Sequence, residues 1–301
     1  MTPAVTGVAV TGVAVALPGA ADARALLHPA RPGAGPVDPA ALIGRKGLRF
    51  KDRATQLGLH LAYAALSDAG LLQNGELTVR KDRLGAVVSS NLGNVDTVCR
   101  AVETISKEST SALSPMDTPN ASSNIIASET AIRYGLRGPN LTVCNGRASG
   151  LDAIRWAALM LRTGRADHIL VTGVEPDNEV TRRLVDGPMA DGGAAVVLSR
   201  PAGTRARALL GPVLRTAQPA DTAHQLVRQV PGGGLWLSAE DHPVPRSALR
   251  NALNSWGELS GALGVVQCAA AAGWFAEGNK SPAYALAGAA GAVLLAPEGT
   301  P

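Results

Sequence analysis

Aromatic side chains are scarce: two Phe, three Tyr and four Trp make up 3% of the 301 residues. Proteins that read RNA or single-stranded DNA stack bases on such rings, so that role is poorly served here. Only three cysteines occur, Cys99, Cys144 and Cys268, with no CxxC pair among them. That spacing excludes a zinc ribbon or a disulfide framework and points to a reducing cytoplasm. No uninterrupted apolar run reaches the ~18 residues that a membrane span needs. The opening "MTPAVTGVAVTGVAVALPG" lacks a charged n-region and is broken by Gly and Pro, so it reads as a first buried strand rather than an export signal. Long runs of one charge sign are also missing. The net charge of +4 comes mainly from scattered Arg, a mild bias that would suit an acidic protein partner. His28, His60, His168 and His224 have no partner at metal or triad spacing, so no metal site is expected.

What is present is small and apolar. Hydrophobic residues reach 46%, with 34 Gly and abundant Ala and Val. Apolar β-rich runs ("VAVTGVAVAL", "RLGAVVSSNLG", "NLTVCNG", "HILVTGVE", "GAAVVLSR") mostly alternate with runs of helical period. The helical runs are "RATQLGLHLAYAALSDAG", "ASSNIIASETAIRYG" and "ASGLDAIRWAALMLRTG", each closed by Gly. Continuous strands alternating with helices indicate a sheet covered on both faces. After Arg200 a weaker echo follows. It comprises the strands "RARALLGPVLRTAQ" and "GGLWLSAED", a helix in "RSALRNALNSWG", a helix in "SGALGVVQCAAAAGWFAEG" and a strand pair in "AYALAGAAGAVLLAP". The chain reads as a duplicated α/β unit, residues 1–200 and 201–301, forming one compact body with a shorter second copy. The longest polar connection is "KESTSALSPMDTPNASSN", Lys107 to Asn124.

The most informative stretch is "NLTVCNGRASGLDAIRWAALMLRTGRADHILVTGVE", Asn140 to Glu175. It is a strand, a turn of small residues, a helix and a second strand. Such a corner usually presents a nucleophile to an acyl substrate, yet Arg147 stands at the turn. Together with Pro119-Asn120, "VTGVAVALPG", "ALSDAG", "WGELSGALGVVQCAAAA" and "YALAGAAGAVLL", the corner resembles the β-ketoacyl synthase branch of the thiolase superfamily. The resemblance covers most of the chain. It implies a thiolase-like α/β fold of five alternating layers, α-β-α-β-α, built from two similar halves and usually dimeric. The strand matching Asn140, Leu141, Thr142, Val143 and Cys144 would lie at the sheet edge and meet the partner.

The same resemblance places the departures. Active members carry a cysteine thiolate at the turn, held by the helix N-terminus, plus two histidines and oxyanion-binding N–H groups. Here the nucleophile slot holds Arg147, whose guanidinium cannot attack a thioester. One histidine slot holds Glu258, the lysine slot falls on Leu253, and the HGTGT-like loop is replaced by "LSAEDHPVPRS", with His242 a loose positional match. The glycine-rich bend reads Ala287-Gly288-Ala289-Ala290-Gly291, without an aromatic gate. The connection from Glu175 to Gly192 is much shorter than in active relatives, where it builds part of the entrance for the carrier's arm. No catalytic residue is expected. An unpaired buried guanidinium would be costly, so Arg147 needs a carboxylate or several carbonyl partners, and Glu258 is the natural candidate because the two slots converge in that fold.

An unarmed frame with an intact edge strand resembles the chain length factor of type II polyketide systems, a non-catalytic subunit. It would pair with an active ketosynthase and shape the cavity that holds the growing acyl chain. No cofactor of its own is implied; the phosphopantetheine arm of an acyl carrier protein would reach the partner subunit. Neither nucleic acid nor membrane is an expected partner. Val95, Val98, Val102 and Ile105 in "VDTVCRAVETI" recur at helical spacing and are candidate cavity residues, or else an ordinary core face. Two alternatives stay open: an enzyme of altered chemistry, a decarboxylase or acyltransferase using Cys144 or His242, and a homodimeric scaffold. Cys99, Cys144 and Cys268 are otherwise expected to be packing residues.

Overall fold

Ten strands of small and β-branched residues form two repeats of one topology. The computed structural model of the chain describes residues 6–185, 187–200, 206–238 and 249–297. The first repeat contains β1 (Val8–Ala16), β2 (Leu84–Ser89), β3 (Asn140–Val143), β4 (His168–Glu175) and β5 (Gly192–Ser199). The second contains β6 (Ala208–Arg215), β7 (Leu235–Ser238), β8 (Leu249–Ala252), β9 (Ala283–Ala287) and β10 (Ala290–Leu295). In both, the spatial order is third, second, fourth, fifth, first. The second strand runs parallel to the third and fourth; the fourth–fifth and fifth–first pairs are antiparallel. β1 and β6 join the repeats through a short antiparallel contact, Val8↔Leu210 to Val10↔Ala208. The boundary expected at residue 201 falls at 201–205, outside the described residues.

Helices complete five layers. On the outer face of the first sheet lie α1 (Arg53–Asp68) and α3 (Ile125–Tyr134). The helix α1 starts where Asp52 accepts from the Thr55 N–H at 2.7 Å, and α3 stops at Gly135 in the left-handed region, φ 71°. The central layer is α4 (Ser149–Arg162) and α7 (Leu263–Ala276), which touch strands of both repeats. The helix α7 is apolar and buried around nearly its whole circumference, as a helix between two sheets must be. The final layer, α6 (Pro219–Gln229), packs Ala223, Leu226 and Val230 on Trp236, Tyr284 and Val293. The helices α2 (Val95–Lys107) and α5 (Glu179–Val185) lie near the exposed side of the first repeat. Residues 17–83 separate β1 from β2 and 90–139 separate β2 from β3, whereas only 216–234 lie between β6 and β7 and 239–248 between β7 and β8, so the second repeat is shortened at both connections.

Two glycines bring the central helices together. A Cβ on Gly150 would lie 2.7 Å from Gly264 N, and one on Gly264 would lie 2.3 Å from Leu151 N. No side chain fits there, so the start of α4 sits directly against the start of α7.

One expected element is different. "RSALRNALNSWG" carries Leu249, Leu253 and Trp256 at helical spacing, yet residues 249–252 pair in parallel with β7 and Leu253–Trp256 is a 3-10 turn. The open edge of β7 supplies hydrogen bonds that a four-residue propensity cannot outweigh. Leu253 and Trp256 still reach the core, while Leu249 is left exposed.

Candidate functional site

The corner forms where β3 leaves the sheet. Gly146 takes φ 62°, and the Ser149 N–H donates to the Gly146 carbonyl at 3.1 Å as α4 begins. Arg147 is thereby set beside the start of α4, and its Nη2 forms an ion pair with Glu258 Oε2. The second Glu258 oxygen accepts from the Ser260 N–H at 2.7 Å. Glu258 is fixed through its backbone as well. Its N–H donates to the Pro188 carbonyl and its carbonyl accepts from the Ala190 N–H, both at 3.1 Å. The shortened connection after β4 therefore supports the carboxylate. A cation at a helix N-terminus is disfavoured by roughly 0.3–1 kcal/mol, and the adjacent carboxylate offsets that repulsion.

Of the other expected slot positions, one lies in the core and one outside the described residues. Leu253 is fully buried in the apolar core. His242 lies outside the described residues. The Ala287–Gly291 bend is the tight turn of the β9–β10 hairpin, and a Cβ at Gly288 would come 3.8 Å from Ala148 Cβ. Two cysteines expected to pack are exposed instead: Cys99 on α2, and Cys144 at the end of β3. Each stands on a surface that no element among the described residues covers. Cys268 is buried, and desolvation pushes its thiol up to about 12.

Asn140, Leu141, Thr142 and Val143 form the outermost strand of the first repeat, hydrogen-bonded to β2 on one side only. The helix α2 buries only Thr97; Val95 is half-buried, while Val98, Val102 and Ile105 are 38%, 61% and 42% exposed. Their stripe is therefore not packed on the chain's own core. Ile132, Trp156 and Leu159 are also exposed, on α3 and α4, the helices that contact β3.

No motif singles out the polar residues that tie the corner together. Glu175, which ends the apolar strand β4, is completely buried. It accepts the N–H groups of Asn91 (2.7 Å), Leu92 (3.0 Å) and Gly261 (3.0 Å) and the Ser90 hydroxyl (3.2 Å). Burial pushes its carboxyl up to about 7, against the opposing pull of those amides. Asp152 on α4 accepts from Asn145 Nδ2 at 2.7 Å and pairs with Arg215 of the second repeat. A carboxylate closing or interrupting an apolar run was the available sequence signal for both. Chemically, the corner holds a guanidinium at the helix entry with a carboxylate engaged to it, and that carboxylate also accepts the Ser260 N–H. Among the described residues no group of three or more His, Cys, Asp or Glu could hold a metal ion. No described helix is long and apolar enough to cross a membrane.

Comparison with known proteins agrees with this frame. Residues 34–184 match the model of the β-ketoacyl synthase N-terminal domain. The 3-oxoacyl-[acyl-carrier-protein] synthase 2 of Vibrio cholerae serotype O1 is 30% identical over 133 residues, 44% of this chain and 31% of that protein. The protein of the same name from Coxiella burnetii is 27% identical over 160 residues, 53% of this chain and 36% of its own length. The match thus spans about a third of the length of these curated relatives. Among solved structures, one described as the ishigamide ketosynthase/chain length factor superposes with a TM-score of 0.77 at 22% identity, covering 96% of this chain and 99% of the other. A second is a type II polyketide synthase acyl-carrier protein in complex with its ketosynthase bound to the hexaketide (AntDE:AntF). It gives a TM-score of 0.76 at 14% identity, with coverage of 96% and 99%. With the strand order duplicated, the corner intact in its backbone and half of the residues matching the family model, this chain belongs to the β-ketoacyl synthase family.

Proposed function

We propose that the chain is a non-catalytic ketosynthase-like subunit of the chain length factor type. It pairs with an active ketosynthase and shapes the acyl cavity at their junction in type II polyketide assembly. The observation that carries this reading is the Arg147–Glu258 ion pair, which fills the nucleophile slot with a charge-matched pair that can neither form nor cleave a thioester. An edge strand with free N–H and C=O groups is an aggregation hazard unless covered, which supports a partner along Asn140–Cys144. The exposed Val98, Val102 and Ile105, half-buried Val95, and the flanking Ile132, Trp156 and Leu159 extend that face. We assign the α2 stripe to the cavity wall, completed only when the partner is seated.

An acyl carrier protein supplies the substrate arm to the partner. The loop holding Arg45, Lys46 and Arg49 gives this chain a basic surface suited to an acidic carrier. Arg133 braces that loop by donating to the carbonyls of Lys46 (3.1 Å) and Ile43 (2.8 Å). The reducing chemistry implied by the cysteines fits a cytoplasmic setting. The enzyme reading, with Cys144 as nucleophile, is the weaker one. The Cys144 thiol sits 4.0 Å from the Asn91 carbonyl oxygen, an acceptor that cannot serve as the general base a thiol nucleophile is paired with.

The deciding experiment is malonyl-thioester turnover by the purified chain, by a ketosynthase and by the two co-expressed. Turnover only when the ketosynthase is present, with product length altered by this chain, is expected. Condensation, or a labelled acyl group on Cys144, in the chain alone would overturn the proposal.

A further inference from the structure

The corner is held from a second side by Asn91, two residues beyond β2, whose polar groups are all engaged. Its Nδ2 donates to the Gly146 carbonyl and to the Ser260 hydroxyl, both at 2.9 Å. Its Oδ1 accepts from the Ser149 hydroxyl at 2.9 Å, and Ser149 Oγ in turn accepts the Asn145 N–H. The Asn91 backbone N–H donates to Glu175 Oε1 at 2.7 Å, and Cys144 Sγ lies 4.0 Å from the Asn91 carbonyl oxygen. One side chain therefore contacts the turn, the first residue of α4 and the entry to α7.

Only an amide satisfies this arrangement, since it needs two N–H donors and one acceptor on a short stem. Aspartate has the same shape but would oppose the Gly146 carbonyl with a carboxylate and leave Ser260 without its donor. The surroundings leave little freedom: a Cβ on Gly261 would lie 2.8 Å from Glu175 Oε1 and 3.1 Å from Asn91 Nδ2. Ser260 is held at φ 41°, a left-handed conformation uncommon outside glycine. Its hydroxyl bond to Asn91 and its N–H bond to Glu258 fix it there.

We infer that Asn91 is a positioning residue: it fixes the segment Cys144–Ser149, and through it the end of the edge strand β3 that meets the partner. The Arg147–Glu258 pair fills the corner, whereas Asn91 sets its shape. The consequence for assembly rests on the partner reading above; the consequence for the turn belongs to this chain alone.

Hydrogen exchange read by mass spectrometry tests it, on the chain as it purifies, comparing the wild type with Asn91→Asp and Glu258→Gln. In Asn91→Asp, exchange across residues 144–149 should rise at least tenfold while residues 283–295 keep their wild-type rates. Its affinity for a ketosynthase partner should fall about tenfold or more. Glu258→Gln should raise exchange at 144–149 by a smaller factor. Unchanged exchange at 144–149 in Asn91→Asp would overturn the inference, as would an equal rise at 283–295, which marks general loosening. If Asn91→Asp does not fold, Asn91→Ser, which keeps one donor, is read by the same two criteria. Should the wild type bind no ketosynthase, the partner reading fails, and the exchange rates still decide the role of Asn91.

Discussion

Arg147 has to be neutralised where it stands, because it faces the positive end of a 14-residue helix. Glu258 does this at a partly open site, with the two side chains 39% and 25% exposed, so water screens the pair and limits its worth. Glu258→Gln should lower stability by about 1 kcal/mol, read as the shift of a denaturant midpoint. A loss above roughly 3 kcal/mol would mean that the pair is desolvated. Glu175 is the opposite case, a fully buried carboxyl held by N–H groups and a hydroxyl rather than by a cation among the described residues. Its folded pKa of about 7 stands above the ordinary 4.5, so between those values the folded chain holds a proton that the unfolded chain has released. Its contribution is fully present below pH 4.5 and falls as pH rises toward 7, by up to roughly 3 kcal/mol, then levels off. Denaturant midpoints at pH 5 and pH 8 check this. The wild type should lose stability over that interval and Glu175→Gln should lose far less of it. Parallel profiles would mean that the three amide donors keep Glu175 ionised throughout.

At the scale of elements, the contact of α4 with α7 decides whether the corner exists. Gly264→Ala would drive a methyl group into the Leu151 backbone, so it should cost about 3 kcal/mol, visible as a lowered melting temperature. A surface glycine such as Gly33, with open space around its Cβ position, is not a fair control because its φ is 73°. Gly35, open and without positive φ, is the proper one and should tolerate Ala. The exposed stripe of α2 behaves differently. Val102→Phe should leave the melting temperature of the chain within about 1 °C, since a side chain that is 61% exposed carries little of the fold. Mass analysis of the product made with the partner should show a shorter acyl chain at undiminished condensation. A destabilised chain with unchanged product would return α2 to an ordinary packing role.

For the whole molecule, two five-stranded repeats meet through three β1–β6 residue pairs and a shared layer of α4 and α7. The helix α2 and parts of α3 and α4 present apolar side chains outward, while Leu141 and Val143 of the edge strand β3 are half-buried against the core. On the proposed pairing, the chain gains stability by mass action with its partner. Its apparent melting temperature should therefore rise with added ketosynthase and depend on concentration, as scanned by calorimetry across a tenfold dilution series. A melting temperature indifferent to both would favour a self-sufficient scaffold.

The strands and the main helices were legible in the amino-acid order because their patterns are local. Short Val-rich runs bounded by turn residues fit strands covered on both faces, and Arg147 at the turn is visible without coordinates. The pairing of Arg147 with Glu258 was inferable once the two slots were placed on one fold, 111 residues apart. The strand β8 was not legible: Leu249, Leu253 and Trp256 keep helical spacing, and only the open edge of β7 makes residues 249–252 extended. Exposure of Cys99 and Cys144 was equally hidden, since it follows from which faces the other elements leave uncovered. Asn91 and Glu175 carry no motif, for hydrogen bonds between residues 55 to 169 positions apart are set by how three strand ends and a helix entry meet. The sequence determined the repeating pattern and the arginine at the turn, because both reside in residue type. Tertiary structure decided the network around the corner, because distance in space, not chemistry alone, selects which polar groups satisfy one another.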